Sequence, residues 1–268
     1  MRNRITVLVL AIGLALSASA SADGIHVDSD HCGFDTNYDV QATSHGIAFT
    51  RADGRPANVF MHDGRLQVDG HALNVSSVDA ERLRSYEENV RTLLPEMAGV
   101  AQEAMGIAFD SLTTVAATLG GDASERDALV RRLNQTHREA MVKLDAGISG
   151  DHWNERGFEQ AIETQVESAA DELATSVSSG VLASLITGKS SELEARANSL
   201  DASIDKEMKD RSGKLEARAK LLCPRMTELE SLQQQFDFRL ADGSRLQLLT
   251  REHHDAKHDD GDNQVAQH

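Results

Sequence analysis

The sequence predicts an α+β fold, a mostly helical body of long antiparallel helices joined to a small antiparallel sheet built from N-terminal strands and a C-terminal hairpin. Three observations carry this expectation. Short alternating segments between Asn37 and Val75 are punctuated by Asp-Gly pairs, and apolar residues then recur every three or four positions from Leu83 onward. Alternation returns in FDFRLADGSRLQLL, residues 236–249. Only 4% of residues are aromatic and three are proline, which suits long helices packed through aliphatic and small side chains.

The chain opens MRNRITVLVLAIGLALSASASADG, a basic start, an apolar stretch and then small residues, with Ala20-Ser21-Ala22 fitting a cleavage site. A secretory signal peptide is expected over residues 1–22, cleaved after Ala22. The apolar stretch Ile5 to Leu16 is short of the roughly 20 helical residues a membrane span needs. The longest later run without charge, Leu173 to Gly188, is also short and carries Ser, Thr and Gly, so no integral membrane segment is expected after cleavage. The expected product is a soluble periplasmic protein.

Residues 23–76 form the expected N-terminal β region. YDVQAT, GIAFTR, ANVFMH, RLQV and HALNV read as antiparallel strands. Asp53-Gly54, Asp63-Gly64 and Asp69-Gly70 fall between strands and supply the positive φ angles that tight hairpins need. A calcium loop would need a spaced carboxylate series ending in Glu, which this region lacks.

Residues 77–235 form the expected helical region. Ser76 with Asp79 three residues on reads as an N-terminal cap, and Leu83, Tyr86, Val90, Leu93, Met97, Val100, Ala104 and Ile107 make one apolar seam. Pro95 interrupts it at a cost of about 3 kcal/mol inside a helix, so a kink or a fresh start is expected there, with an end near Gly120-Gly121. Ser124 and Asp127 suggest the next cap, before a buried side of Leu129, Leu133, His137, Ala140 and Leu144. A third helix is expected from near Asp151 toward Gly188, carrying Phe158, Ile162, Val166, Ala169, Leu173 and Val177. The fourth opens at Ser191 and Glu194, with Leu193, Ala197, Leu200, Ile204, Met208, Leu215, Ala219 and Leu222 on one face. Its acid-base pairs Asp205/Lys209, Glu207/Arg211 and Glu216/Lys220 read as a solvated face. The apolar seams leave room for homo-oligomerisation.

Residues 236–251 are expected to form a hairpin turning at Asp242-Gly243 and joining the N-terminal sheet, ahead of a disordered His/Asp-rich tail, 252–268. Pro224 is expected to break the fourth helix, with Cys223 at the corner and a short helix starting at Pro224. Cys32 and Cys223 are the two cysteines of the chain. In an oxidising compartment an even pair reads most simply as one disulfide, worth about 5 kcal/mol for so long a loop in the chain-entropy model before strain. A reactive thiol at Cys223 is the competing reading, without a C-x-x-C or a base nearby in sequence.

The net charge of −16, deepened by two when Arg2 and Arg4 leave with the leader, argues against nucleic acid or anionic lipid as partners. No G-x-S-x-G elbow, H-E-x-x-H helix or P-loop is present, and Ser203 with Lys206 makes an S-x-x-K without the S-D-N and K-T-G that give it meaning. No cofactor is expected. Histidines cluster in the strand region at His26, His31, His45, His62 and His71, and again in the tail, where His253, His254 and His258 could bind a metal weakly beside carboxylates.

A leader, an early lone cysteine, the stretch RLQVDGHALNVSSVDAERLRSYEENVRTLLPEMAGVAQEAMGIAFDSL, Ala-rich helices and a late Cys-Pro together resemble the YggN-like family of exported bacterial proteins. That resemblance implies periplasmic residence and a domain of unknown function, with no catalytic residues to transfer. The expectation is a non-catalytic binding or scaffolding protein that meets an envelope protein or ligand. The alternatives are an envelope hydrolase whose carboxylate/histidine site assembles in three dimensions and a metal binder acting through the tail.

Overall fold

A computed structural model describes residues 33–188, 191, 194–196 and 210–251. Within them the chain forms the expected α+β fold. Strands β1 (Phe34–Asp35), β2 (Asp39–Thr43), β3 (Gly46–Thr50), β4 (Asn58–His62), β5 (Arg65–Val68) and β6 (His71–Leu73) precede helices α1 (Ser77–Leu119) and α2 (Ala123–Gly147). A two-residue strand β7 (His152–Trp153) leads into α3 (Glu155–Ile162), a π-helical turn (Glu163–Glu167) and α4 (Ser168–Ile186). Residues 210–220 are helical, and α5 (Leu222–Gln234) and β8 (Thr250–Arg251) complete the order.

The larger sheet is antiparallel in the order β6-β5-β4-β3-β2-β7. Asp63-Gly64 and Asp69-Gly70 both have positive φ at each of their two residues, the geometry of a two-residue hairpin turn. Gly64 also lets the turn approach α1, because a Cβ there would sit 2.5 Å from the Ala80 carbonyl.

Alternation puts Val40, Ile47, Phe49, Val59, Met61 and Leu66 on the inner face, against Leu83, Tyr86, Val90, Leu93 and Leu94 of α1 and Leu229 of α5. Tyr38, Phe49, Tyr86, Phe236 and Phe238 run through this core as a series of ring contacts, with successive centroids 6.3, 6.3, 6.0 and 5.1 Å apart. The few aromatic residues of the sequence are thus concentrated where the sheet meets the helices. A second core lies between the far half of α1, α2, α3 and α4, around Met105, Phe109, Leu129, Leu133, Leu144, Leu173 and Val177. Met97 and Trp153 pack against both.

Several expectations need correction. Pro95 does not restart the helix: α1 runs unbroken from Ser77 to Leu119 with Pro95 inside, at an exposed position. The Arg225 guanidinium from α5 donates to the Thr92 carbonyl at 3.5 Å and bonds the Thr92 hydroxyl, adding donors beside the turn that Pro95 deprives of its amide. The second cap is Asp122, not Ser124; its carboxylate accepts the Glu125 amide while the Glu125 side chain accepts the Asp122 amide. The third helix starts at Glu155, after residues 152–153 have paired with β2, and it is interrupted by the π turn. The break expected at Cys223-Pro224 occurs at Leu221, so Cys223 and Pro224 lie in the first turn of α5, where missing amide bonds cost nothing within the helix.

The C-terminal segment differs most instructively. The turn at Asp242-Gly243 forms, with the Gly243 amide on the Leu240 carbonyl and the Leu240 amide on the Ser244 carbonyl, but residues 236–249 make no regular ladder. β8 pairs with β1 in a separate two-stranded sheet, so the C-terminal strand is short and the larger sheet receives nothing from this segment. The alternating residues Phe236, Phe238, Leu240, Leu246 and Leu248 are buried as their pattern requires. At Leu248 and Leu249 side chains take the place of a ladder. Gln233 Oε1 accepts from the amides of Leu248 and Leu249, Gln233 Nε2 donates to the Leu249 carbonyl, and the Thr36 hydroxyl donates to the Leu248 carbonyl.

The expected face of residues 191–209, including Leu193, Ala197, Leu200, Ile204 and Met208, falls almost wholly outside the described residues, as do Asp205, Glu207 and Lys209. Of the anticipated pairs on that helix, Lys220 to Glu216 is present at 2.6 Å.

Candidate functional site

Among the described residues, three clusters of ionisable groups have the residue types that chemistry would use. The first is at the start of α1. Asp79 is buried at the third position of the helix, where its amide donates to the capping Ser76 hydroxyl and its carboxylate accepts from that same hydroxyl at 3.1 Å. The carboxylate also accepts Arg82 Nη1 at 3.0 Å and the Asp237 amide at 3.1 Å. Burial alone would raise this carboxyl, but donation from the Asp237 amide, Arg82 and Ser76 outweighs it and holds the group below the usual carboxylate range. Arg82 bridges on to the Asp237 carboxylate at 3.0 Å, so the cluster ties the helix start to the C-terminal segment.

The second lies at the β4–β5 turn. Glu87, also buried, accepts Arg91 Nη2 at 2.6 Å and the Asp63 amide at 2.9 Å, with His62 Nδ1 at 3.4 Å. Burial pushes this carboxyl up and is again outweighed, by Arg91, the Asp63 amide and His62, so the net direction is down. A carboxylate beside a strand histidine is the arrangement a hydrolase would want as an acid, yet Glu87 is held as an anion.

The third has the residue types of a nucleophilic triad. Ser149 Oγ lies 2.5 Å from Asp151 Oδ1 and 2.7 Å from His152 Nδ1, and that nitrogen is 3.1 Å from the same carboxylate oxygen. The geometry serves a turn rather than a relay. A serine base and its orienting carboxylate must use opposite ring nitrogens, whereas here both crowd Nδ1 while Nε2 lies 3.1 Å from the Ala146 carbonyl. The Ser149 amide donates to the His152 carbonyl, and the Ala42 amide donates to the Asp151 carbonyl, which joins the turn to β2. Donation from Ser149, then His152, holds the Asp151 carboxyl low.

Of the other histidines, His45 sits in the β2–β3 turn, His62 ends β4 near it, and His71 begins β6 at the opposite end of the sheet. His137 stacks on Phe109 at 4.9 Å and 8°, a packing role on the buried side of α2. Among the described residues no group of three or more His, Cys, Asp or Glu side chains could hold a metal ion. Cys32, His26, His31, Ser203, Lys206, His253, His254 and His258 lie outside the described residues. A small polar cleft of about 110 Å³ opens between β1 and the C-terminal segment, lined by Asp35, Thr36, Asn37, Arg51, Gln247, Leu248 and Thr250. Sites for metabolites are typically about 300–1,000 Å³, so this one suits a few waters or a very small group. No helix among the described residues is long and apolar enough to cross a membrane.

One set of contacts was not anticipated from the sequence. Arg211, Arg218 and Arg225 pair with Asp110, Glu103 and Glu96 of α1. Each step of seven residues forward, across the break at Leu221, meets a step of seven back along α1. The signal is present in the sequence as matched heptads of opposite charge, masked by the i,i+4 spacing of Arg211 from Glu207 on its own helix.

A family model described as a protein of unknown function, DUF2884, matches residues 32–249, and the chain belongs to that family. No curated protein and no solved structure matches it.

Proposed function

We propose that this member of the family is an exported, non-catalytic binding or scaffolding protein of the cell envelope. The observation that carries the reading is that the groups resembling chemistry are saturated by the fold: Asp79, Glu87 and the Ser149–His152 turn each spend their hydrogen bonds joining one element to another. Among the described residues, the surface offers the better candidates for function. On α4, Leu182 and Ile186 stand one turn apart and are 59% and 78% exposed, a pairing suited to contact with an envelope partner or a second copy. The leader expected over residues 1–22 and the resemblance to the YggN-like exported proteins support a periplasmic address.

A disulfide between Cys32 and Cys223 belongs to the same proposal. Phe34, two residues after Cys32, pairs with Arg251, whose guanidinium lies 4.5 Å above the Phe34 ring and reaches the Thr227 hydroxyl at 3.4 Å. Thr227 in turn donates to the Cys223 carbonyl at 3.0 Å. The segments flanking the two cysteines therefore converge, which supports a clamp between the chain's early and late parts.

A photo-crosslinking side chain at Leu182 or Ile186, activated in cells, tests the reading. A discrete adduct at either position, with twice the chain mass marking a second copy, supports it. Turnover of an ester, phosphoester or glycoside by the purified chain, without adducts, contradicts it and returns the hydrolase to first place. The tail reading is separable: if His253, His254 and His258 bind metal, deleting residues 252–268 abolishes zinc or nickel binding, and unchanged binding refutes it.

A further inference from the structure

The helical segment 210–220 is attached to α1 differently from α2, α3, α4 and α5. None of its residues is buried, and only Arg211, Leu215 and Ala219 are half-buried, whereas α5 immediately after it buries Leu229 and Gln233. Its hold on α1 is an ion-pair ladder: Arg211 to Asp110 at 2.6 Å, Arg218 to Glu103, and, just past the break, Arg225 to Glu96 at 2.5 Å. Gly99 makes room for this, since a Cβ there would meet the Arg218 guanidinium at 3.2 Å. Leu221, outside both helices and 68% exposed, separates the ladder's outer part from the docked α5.

We propose that residues 210–220 are a charge-registered strap that lifts from α1 about Leu221 as ionic strength rises, while the two apolar cores stay closed. Exposed ion pairs are weak and screened by salt, so a segment whose ionic hold on α1 is two such pairs, with a third just past the break, opens at a lower cost than the elements it lies on. The matched heptads fix one register for reclosure, because a slip of one turn sets arginines beside neutral positions. Lifting the strap releases Glu103 and Asp110 of α1 from their arginines.

Amide hydrogen exchange of the full-length protein reads this directly. Between about 0.01 M and about 1 M salt the screening length falls from about 30 Å to about 3 Å. Exchange in 210–220 is expected to rise about fivefold to tenfold over that range, with Gly46–Thr50 and Leu222–Gln234 unchanged. Arg218→Glu should produce the fast exchange already at low salt, and adding Glu103→Arg should restore protection. Salt-independent exchange in 210–220 overturns the proposal, and so does exchange that rises in step with α5. The salt series needs no variant, so a charge reversal that impairs folding, visible as faster exchange in β3, leaves the test intact.

Discussion

Gln233 is the side chain on which the C-terminal segment depends, and replacing it with methionine isolates what its amide contributes. Methionine keeps the stem and approximate volume, so the apolar packing term changes little. The polar loss is specific. The amides of Leu248 and Leu249, bonded to Oε1 at 2.6 and 3.0 Å, and the Leu249 carbonyl, bonded to Nε2 at 2.8 Å, would all lose their partner in a buried setting. An unsatisfied buried group costs about 1–3 kcal/mol, and partial relaxation toward water brings three of them to about 3–5 kcal/mol. Urea unfolding followed by linear extrapolation measures this, with Tm falling about 2–4 °C per kcal/mol for a protein of this size. Exposed Gln234, whose amide reaches only Glu230 at 3.2 Å, is the control: Gln234→Met should change stability by no more than about 0.5 kcal/mol. A loss below about 1 kcal/mol in Gln233→Met would refute the idea that side chains replace a β ladder here.

Asp79 and Glu87 both have folded pKa values below their unfolded ones. Their contribution is therefore complete above the unfolded carboxylate range near pH 4 and is lost as pH falls through the folded values. Asp79→Asn and Glu87→Gln should each lower stability at pH 7 and flatten the acid limb of a stability-pH curve; an unaltered limb in the double variant would contradict this. Gly147→Ala should cost about 1–3 kcal/mol or more, because its Cβ would lie 2.3 Å from the Phe158 amide nitrogen and force α3 away from α2; thermal melting checks it. Pro95→Ala restores an amide to an exposed turn of α1 and should stabilise by about 1–3 kcal/mol, whereas a loss of stability would mean that the proline shapes a needed bend.

What the sequence made legible was whatever rests on local chemistry. The five principal strands follow from alternation, and the two-residue turns at Asp63-Gly64 and Asp69-Gly70 follow from positive φ. The cap at Ser76 and the stop before Gly120 were equally readable. Features set by tertiary partners were not. Pro95 stays within α1 because the neighbouring helices hold that helix, and α5 supplies Arg225 beside the gap. Residues 236–249 alternate like strands because one side is buried, yet the ladder is supplied by Gln233, Thr36 and Asp79, a choice no pattern within the segment could show. Residues 152–153 were absorbed into a helix because two residues pairing with β2 leave no periodic trace. Among the candidate groups, the strand histidines were visible as residues, but their separation to opposite ends of the sheet depends on register.

The proposal of an exported chain whose early and late segments are clamped together is tested most directly by intact mass after thiol alkylation. Protein recovered from the envelope fraction is alkylated with and without prior reduction, then weighed. A disulfide between Cys32 and Cys223 predicts a monomer mass with no added groups before reduction and two after it. Two alkyl groups on unreduced protein would contradict the clamp and the oxidising address together, and would make Cys223 the first residue to test for reactivity.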